Sequence, residues 1–550
     1  MCLHKNYARS AVQAFSNENP AERFSFERAI ARSRGIWYDM GRRDVRTLSF
    51  IRRRWREIAV AVLILGFTGF AVLALRRYGM LAHWYWALLP AAVLTPLSVF
   101  VLRAPRQAHR VFFAVFLVCG LLYLAAVPIL QVSDEPQHFL RSYEIAVLRA
   151  PQALPDGSVG DFLPDGLIPE ALSDYAATGY DDIRAAWGAC IDRAKPVAYD
   201  FPGSALYSPL SYLPHAAGIA IANLVTDRAL VILYAGRLVN LVVVALLCAL
   251  AVKLFPFSKA LPALLLLTPI YVHKAGSMSA DGLTLAVVAL WLAYVLHLQY
   301  GTHGRLTARQ LVPLYLLVLM LSQCKIVYLP VCLFFFVLSP ERFGSKKRYF
   351  WNLAGLVVLA LGAGLGWLAV SSRYLAAGYS TSGTQLAAIL HDPLGYCRVL
   401  LRTLRVQGRT LLEQMMGIGM GVGGVRNSRL LTYGYLVLIA LTAVFSRREG
   451  GGALTQKRDG WLALVSAFGV ALLTCTALYI QWTAPGNDTI MGLQGRYFLP
   501  VLYLISIAVL QVRPTGRLRR KISWELPLLT ATGVNLVAAV SCIGYGLTLA

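Results

Sequence analysis

Thirteen apolar runs, most of them near twenty residues long, leave this chain little choice of solvent. They fall at 58–75, 83–102, 111–130, 229–252, 260–278, 280–298, 311–324, 326–338, 350–371, 431–446, 461–480, 497–512 and 526–548. A hydrocarbon core about 30 Å thick takes a helix of about 20 such residues, and no soluble core would need so many. Charged residues make up 14% of the chain, against about 25% in soluble domains. The sequence therefore predicts an all-α polytopic membrane protein of about thirteen spans.

The net charge of +25 would suit a nucleic-acid binder, but the basic residues sit mostly in short loops between apolar runs. That is the pattern of cytoplasmic loops, and it argues against nucleic acid as a partner. Arg52, Arg53, Arg54 and Arg56 hold the N-terminus inside, and Arg103, Arg106 and Arg110 mark the inner end of the second span. Arg76 and Arg77 fall outside on this reading and count against it. Residues 131–205 carry twelve Asp or Glu against five Lys or Arg, which fits an outer loop.

Segment 206–226 is apolar enough to cross, but Pro209 and Pro214 break its first half. Read as a juxtamembrane or re-entrant helix, it keeps the later basic loops inside: Lys253, Lys259, Arg305, Arg309, Lys346, Lys347, Arg348, Arg447, Arg448, Lys457, Arg458 and the cluster Arg517 to Lys521. The C-terminus is then outside. Spans 311–324 and 326–338 are short and suggest a tilted or broken hairpin.

Three regions follow. Residues 1–57 read as an Arg-rich cytoplasmic tail, helical near Pro20 to Ser33 and without the apolar stretch of a signal peptide. Residues 58–110 form an extra transmembrane hairpin, and 111–548 form one membrane domain with the outer loop 131–228. The outer face also collects the tip at Ser277 to Asp281, Lys325, and loops 372–430 and 481–496. From Leu394 to Met416, Arg398, Arg402, Arg405 and Arg409 alternate with leucines, as in a helix lying among headgroups. The nine cysteines show no CxxC pair and lie mostly inside apolar runs; Cys190 and Cys397, both in outer loops, could pair in a disulfide.

The strongest chemical signal is Ser133-Asp134-Glu135-Pro136-Gln137-His138-Phe139-Leu140-Arg141, immediately outside a span. Adjacent carboxylates there can serve as general base or hold a divalent cation, Mg or Mn. They can equally cap a helix that begins at Pro136. His138 and Arg141, three apart, would share that helix's face. Asp281 stands at the mouth of two apolar runs, where an ionisable group marks either function or another cap. Lys325 interrupts a long apolar run, and either snorkels or meets a phosphate. Arg496, beside Tyr497, suits phosphate oxygens bidentately or serves as a boundary residue. Arg237 is a weaker candidate of the same kind. His215, His273 and His391 show no metal spacing and read as interfacial polar groups.

Taken together, several blocks resemble the bacterial membrane-protein family known as domain of unknown function family 2142. They are Asp134-Glu135-Pro136-Gln137-His138, Tyr207-Ser208-Pro209-Leu210-Ser211-Tyr212-Leu213-Pro214, Gly236-Arg237-Leu238-Val239-Asn240 and Ser277-Met278-Ser279-Ala280-Asp281. Cys324-Lys325-Ile326-Val327-Tyr328, Ser339-Pro340-Glu341-Arg342-Phe343 and Gln494-Gly495-Arg496-Tyr497-Phe498-Leu499-Pro500 continue the match. The resemblance covers roughly residues 111–512.

The family is similar in layout to GT-C glycosyltransferases such as the lipid-linked aminoarabinose transferases and protein O-mannosyltransferases. This implies a polyprenyl-phosphate sugar donor, a glycan or lipid acceptor, and an active site on the periplasmic face of the bacterial inner membrane. On that layout Asp134 or Glu135 deprotonates the acceptor or binds a cation, and His138 carries a second proton or orients. Arg496 and Lys325 would neutralise the departing phosphate. Arg141, Tyr207, Tyr212, Arg237, Asp281 and Tyr497 would line the substrate cleft. The rival readings are a transporter or flippase of lipid-linked sugars, and a polysaccharide polymerase or ligase.

Overall fold

The computed structural model describes residues 54–103, 107–175, 177–374, 382–421, 423–445, 455–511 and 523–549. Arg52, Arg53, Arg106, Arg447, Arg448, the cluster Arg517 to Lys521 and the tail helix expected near Pro20 to Ser33 lie outside them. The chain divides after Leu63, and the packing below is that of Ile64–Ala550.

In chain order the helices include α1 (Arg54–Arg77), α2 (Leu81–Arg103), α3 (Ala108–Ala126), α4 (Glu135–Ala146), α5 (Leu213–Asn223) and α6 (Ala229–Leu254). They continue as α7 (Ala260–Leu266), α8 (Pro269–Ala275), α9 (Asp281–Gly301), α10 (Ala308–Cys324), α11 (Lys346–Tyr374) and α12 (Pro393–Met415). The last four are α13 (Arg429–Phe445), α14 (Lys457–Trp482), α15 (Leu499–Val509) and α16 (Glu525–Leu547).

Among the described residues, α1, α2, α3, α6, α9, α11, α14 and α16 are long and apolar enough to cross a membrane. These eight stand where thirteen continuous spans were expected. Helices α10 and α13, the 3-10 helix Ile326–Val337 and the stretch Gly495–Val509 are apolar but shorter.

The expected span 260–278 departs most. Pro269 disfavours the helical region for the residue before it, and Thr268 is extended (φ −61°, ψ 134°), so the run splits into α7 and α8. The carbonyls released at the break find buried donors. Asn535 Nδ2 donates to Leu267 O at 2.7 Å, and the Tyr435 hydroxyl donates to Leu264 O at 2.7 Å. Satisfaction by neighbouring helices is what makes a broken helix tolerable at membrane depth.

Segment 206–226 holds no long helix. Its eleven-residue α5 rises about 16 Å, roughly half a hydrocarbon core, and packs on α4 and α6. Gly218 makes the α5–α6 approach possible, since a Cβ there would overlap the Ala235 carbonyl. The all-α expectation also needs correction. Loop 131–228 carries a three-stranded antiparallel sheet of β1 (Gln152–Ala153), β2 (Val159–Asp165) and β3 (Asp192–Asp200) in that order. Cys190 and Cys397 are both free and exposed, so the disulfide considered for them is not formed.

Helix α9 runs through the interior and, with α16, is the most buried of the long apolar helices. It is apolar all round, and 89% of its apolar window is buried, against 17% for the peripheral α11. The Trp291 indole N–H donates to Val331 O at 3.0 Å, tying α9 to the 3-10 helix Ile326–Val337. From Asp281 to Tyr300, α9 rises about 30 Å.

The two ends differ in kind. At the Tyr300 end, the Tyr300 hydroxyl bonds Asp459, Arg458 Nη2 donates to Val337 O at 2.8 Å, and Arg348 Nη2 donates to Leu306 O at 3.3 Å. Lys346, Lys347 and Lys457 stand in the first turns of α11 and α14 at the same end. Helices α11 and α14 both start at this basic end. Their last turns reach the opposite end, where they line a cavity together with Asp281 and residues of loop 131–228.

Candidate functional site

Helix α3 ends at Ala126, and the chain turns through two left-handed residues, Leu130 (φ 65°) and Asp134 (φ 67°), before α4 begins. A non-glycine residue pays roughly 1–2 kcal/mol in that region, asparagine and aspartate least. Asp134 stands at the N-cap of α4, yet its side chain makes no capping bond. Its carboxylate reaches instead across 362 residues of sequence to Arg496 Nη2, at 3.0 Å.

Arg496 is buried and gathers a second acid. Its Nε donates to Asp281 Oδ2 at 2.7 Å, while Lys325 Nζ holds Asp281 Oδ1 at 3.3 Å. Asp281 begins α9 but does not cap it either. Gly495 sets Arg496 in place: a Cβ there would strike α12 at Leu411, and its N–H donates to Gln414 Oε1 at 2.8 Å. Lys325 is extended (φ −161°, ψ 104°) between α10 and the following 3-10 helix. Its ammonium lies 4.1 Å from the Tyr497 ring centroid, 5.5 Å from Tyr328 and 5.9 Å from Tyr207, a cation–π cage that keeps the charge without further carboxylates.

Asp134, His138, Tyr207, Asp281, Lys325, Arg496 and Tyr497 all face one cavity of about 440 Å³. Its apolar lining includes Ile326, Gly364, Leu368, Ala477 and Leu478. Its lining also includes Gln137, Gln323, Gln481, Gln494, Trp367 and Trp482.

Other candidates stand behind this lining. Glu135 is fully buried; Arg237 Nε and Nη2 donate to its two oxygens at 2.9 and 2.5 Å, and the Met278 N–H adds a third bond at 2.9 Å. Glu135 is not among the residues that line the cavity, and Arg237 acts on Glu135. Arg141 pairs with the buried Glu144 and donates to Tyr207 O at 3.4 Å, holding Tyr207 from behind. Tyr212 is buried and meets His138 Nδ1 at 2.6 Å. Arg141, Tyr212, Glu135 and Arg237 therefore position the cavity residues and do not line the cavity.

The divalent cation considered for Asp134 and Glu135 does not fit this donor set. One carboxylate points to Arg496 and the other to Arg237, and no group of three His, Cys, Asp or Glu side chains among the described residues could hold a metal ion. His215 and His273 are not interfacial. Both are buried, His215 against Ser277 O at 3.1 Å and His273 edge-on to Tyr123.

Most of the blocks that carry the family resemblance thus build or back this one site, whereas Ser339-Pro340-Glu341-Arg342-Phe343 lies at the Tyr300 end, where Arg342 Nη2 donates to Leu298 O at 2.6 Å. The model of the predicted membrane protein family DUF2142 matches residues 116–505. The chain belongs to that family. The match begins inside α3 and leaves α1 and α2 outside it. No curated protein and no solved structure matches the chain.

In this DUF2142 chain the sequence reading missed one buried cation. Lys274 lies at the end of α8 with its Nζ 3.4 Å from Ser133 O, bracing the turn that presents Asp134. An ionisable residue inside an apolar run was the available signal. Gln323 was missed as well; it accepts from Ser208 Oγ at 2.9 Å and donates to Ala363 O at 2.7 Å, joining the Tyr207 segment to α11.

Burial pushes the His138 imidazole down to about 4, although Asp134 and Asp281 pull it up. The ring is neutral at pH 7. An unfolded histidine takes its proton near pH 6.5, so between about pH 6.5 and 4 the unfolded chain binds more protons, and stability falls as pH falls. His138→Gln should lose less stability than wild type across that window. Thermal unfolding in detergent at pH 7, 5.5 and 4.5 checks this; equal losses in the two proteins would contradict it.

Proposed function

We propose that this protein is a GT-C-like glycosyltransferase that moves a sugar from a polyprenyl-phosphate-type lipid donor to an extracytoplasmic acceptor in cell-surface glycan assembly. One observation carries the reading: Lys325 and Arg496, 171 residues apart, converge on Asp281 in a cavity that also exposes Asp134. A lipid phosphate needs cations at its head and an apolar wall beside them, and this cavity offers both.

The chemistry divides among the residues as follows. The donor phosphate lies between Lys325 and Arg496. Asp134 accepts the proton of the acceptor hydroxyl as its oxygen bonds to the sugar C1. The C1–O bond to phosphate breaks, and its electron pair leaves with the lipid phosphate, which gains a negative charge. Lys325 and Arg496 stabilise that charge where it develops. Direct displacement inverts the anomeric centre. The neutral His138 orients the acceptor beside Asp134.

The distribution of basic loops supports the orientation. They gather at the Tyr300 end of α9, about 30 Å from Asp281, and by the positive-inside rule this supports reading the cavity end as the outer one. A Ser158→Cys variant lacking Cys190 and Cys397 should react with an impermeant maleimide on intact spheroplasts, and a Lys347→Cys variant should not. The reverse pattern would reject this orientation.

The activity itself is tested with purified protein and a short-chain prenyl-phosphate sugar. Release of prenyl phosphate matched by acceptor glycosylation is expected. Movement of intact donor across proteoliposomes without release would favour a flippase instead.

A further inference from the structure

Arg496 holds two carboxylates that are unlike. Asp281 is buried, is bound at Nε, and is shared with Lys325. Asp134 is bound at Nη2, its side chain is 55% exposed, and its backbone is in the left-handed region. Arg496 is its one side-chain partner shown among the described residues. An ion pair with one partner in water is a weak one, whereas a phosphate oxygen makes short, charge-assisted bonds to a guanidinium.

Of the two acids on Arg496, both of which line the cavity, Asp134 at Nη2 is therefore the more weakly held. We propose that Asp134 occupies the phosphate position on Arg496 in the ligand-free protein, so that donor binding displaces it and frees it to act as base. This rests on the reading of the cavity as a lipid-phosphate site, and it goes further in coupling the two roles. Without donor, the carboxylate is held by Arg496 and is a poor proton acceptor. With donor, Arg496 turns to the phosphate, and Asp134 is released beside the sugar C1. Lys274, bonded to Ser133 O, keeps the turn in place while the side chain moves. Asp281 stays where it is, since Lys325 holds its other oxygen.

Farnesyl phosphate, without a sugar, is the probe, and its binding to the purified full-length chain in detergent is measured by calorimetry. Asp134→Asn should bind it about 2- to 5-fold more tightly than wild type, the scale of a half-exposed ion pair removed from competition. Arg496→Gln and Lys325→Gln should bind it more weakly. In a cryo-EM structure of the wild-type complex, Asp134 should stand beyond salt-bridge distance from Arg496.

Affinity in Asp134→Asn equal to or below wild type, with binding still weakened in Lys325→Gln, would overturn the displacement alone. An Asp134 still paired to Arg496 beside bound phosphate would do the same. Wild-type affinity in both cation variants would overturn the phosphate site itself. Should Arg496→Gln fail to fold, Lys325→Gln carries that arm by itself.

Discussion

Asp134→Asn is expected to fold and insert like the wild type yet to transfer sugar about 10²–10⁴-fold more slowly, the usual range for a lost general base. The amide keeps the size of the side chain and its ability to accept a hydrogen bond. It removes only the negative charge. A capping role would survive the change almost intact, at a cost of at most about 1 kcal/mol, but Asp134 makes no cap. Transfer from a prenyl-phosphate sugar, measured beside an unfolding curve, separates the outcomes. Wild-type transfer in the variant would remove Asp134 from the chemistry.

Arg237→Ala should fail in the opposite way. It would leave Glu135 buried with the Met278 N–H as its remaining partner. Breaking a buried ion pair from one side costs about 3–5 kcal/mol, because the other charge stays behind unpaired. The expected result is a large drop in unfolding temperature and in yield of folded protein. Glu135→Gln with Arg237→Met removes both charges and should recover much of the loss. If Arg237→Ala unfolded like wild type and lost only transfer, the pair would belong to the substrate and not to the frame.

These two variants mark what could be read without coordinates. The motif Asp134-Glu135 announces a site, because two acids beside a span are costly unless used. Which acid faces the cavity depends on the left-handed turn at Asp134 and on the length of Arg237 across from it, and neither is visible in spacing. Lys325 and Arg496 were legible as lone cations at the ends of apolar runs, and the fold brings both to Asp281. Arg141 and Tyr212 carry the same residue types but turn inward, to Glu144 and His138.

The fold shows the same division. Apolar length locates helices such as α6 and α14 to within a few residues. It does not reveal the break at Thr268, where Asn535 and Tyr435 arrive from distant helices to donate to the Leu267 and Leu264 carbonyls. The sheet in loop 131–228 was hidden for a related reason. Its strands are short, and β3 is polar and mostly exposed, so no alternating apolar pattern marks it.

The position of the donor phosphate is the most direct test of the whole account. A cryo-EM structure of the full-length protein with a non-hydrolysable prenyl-phosphate sugar would show it. The account predicts phosphate density within hydrogen-bonding reach of Lys325 Nζ and the Arg496 guanidinium, with the sugar beside Asp134 and the lipid against Leu368 and Leu478. Phosphate density elsewhere, for instance on the arginines of α12 with the cavity empty, would contradict it.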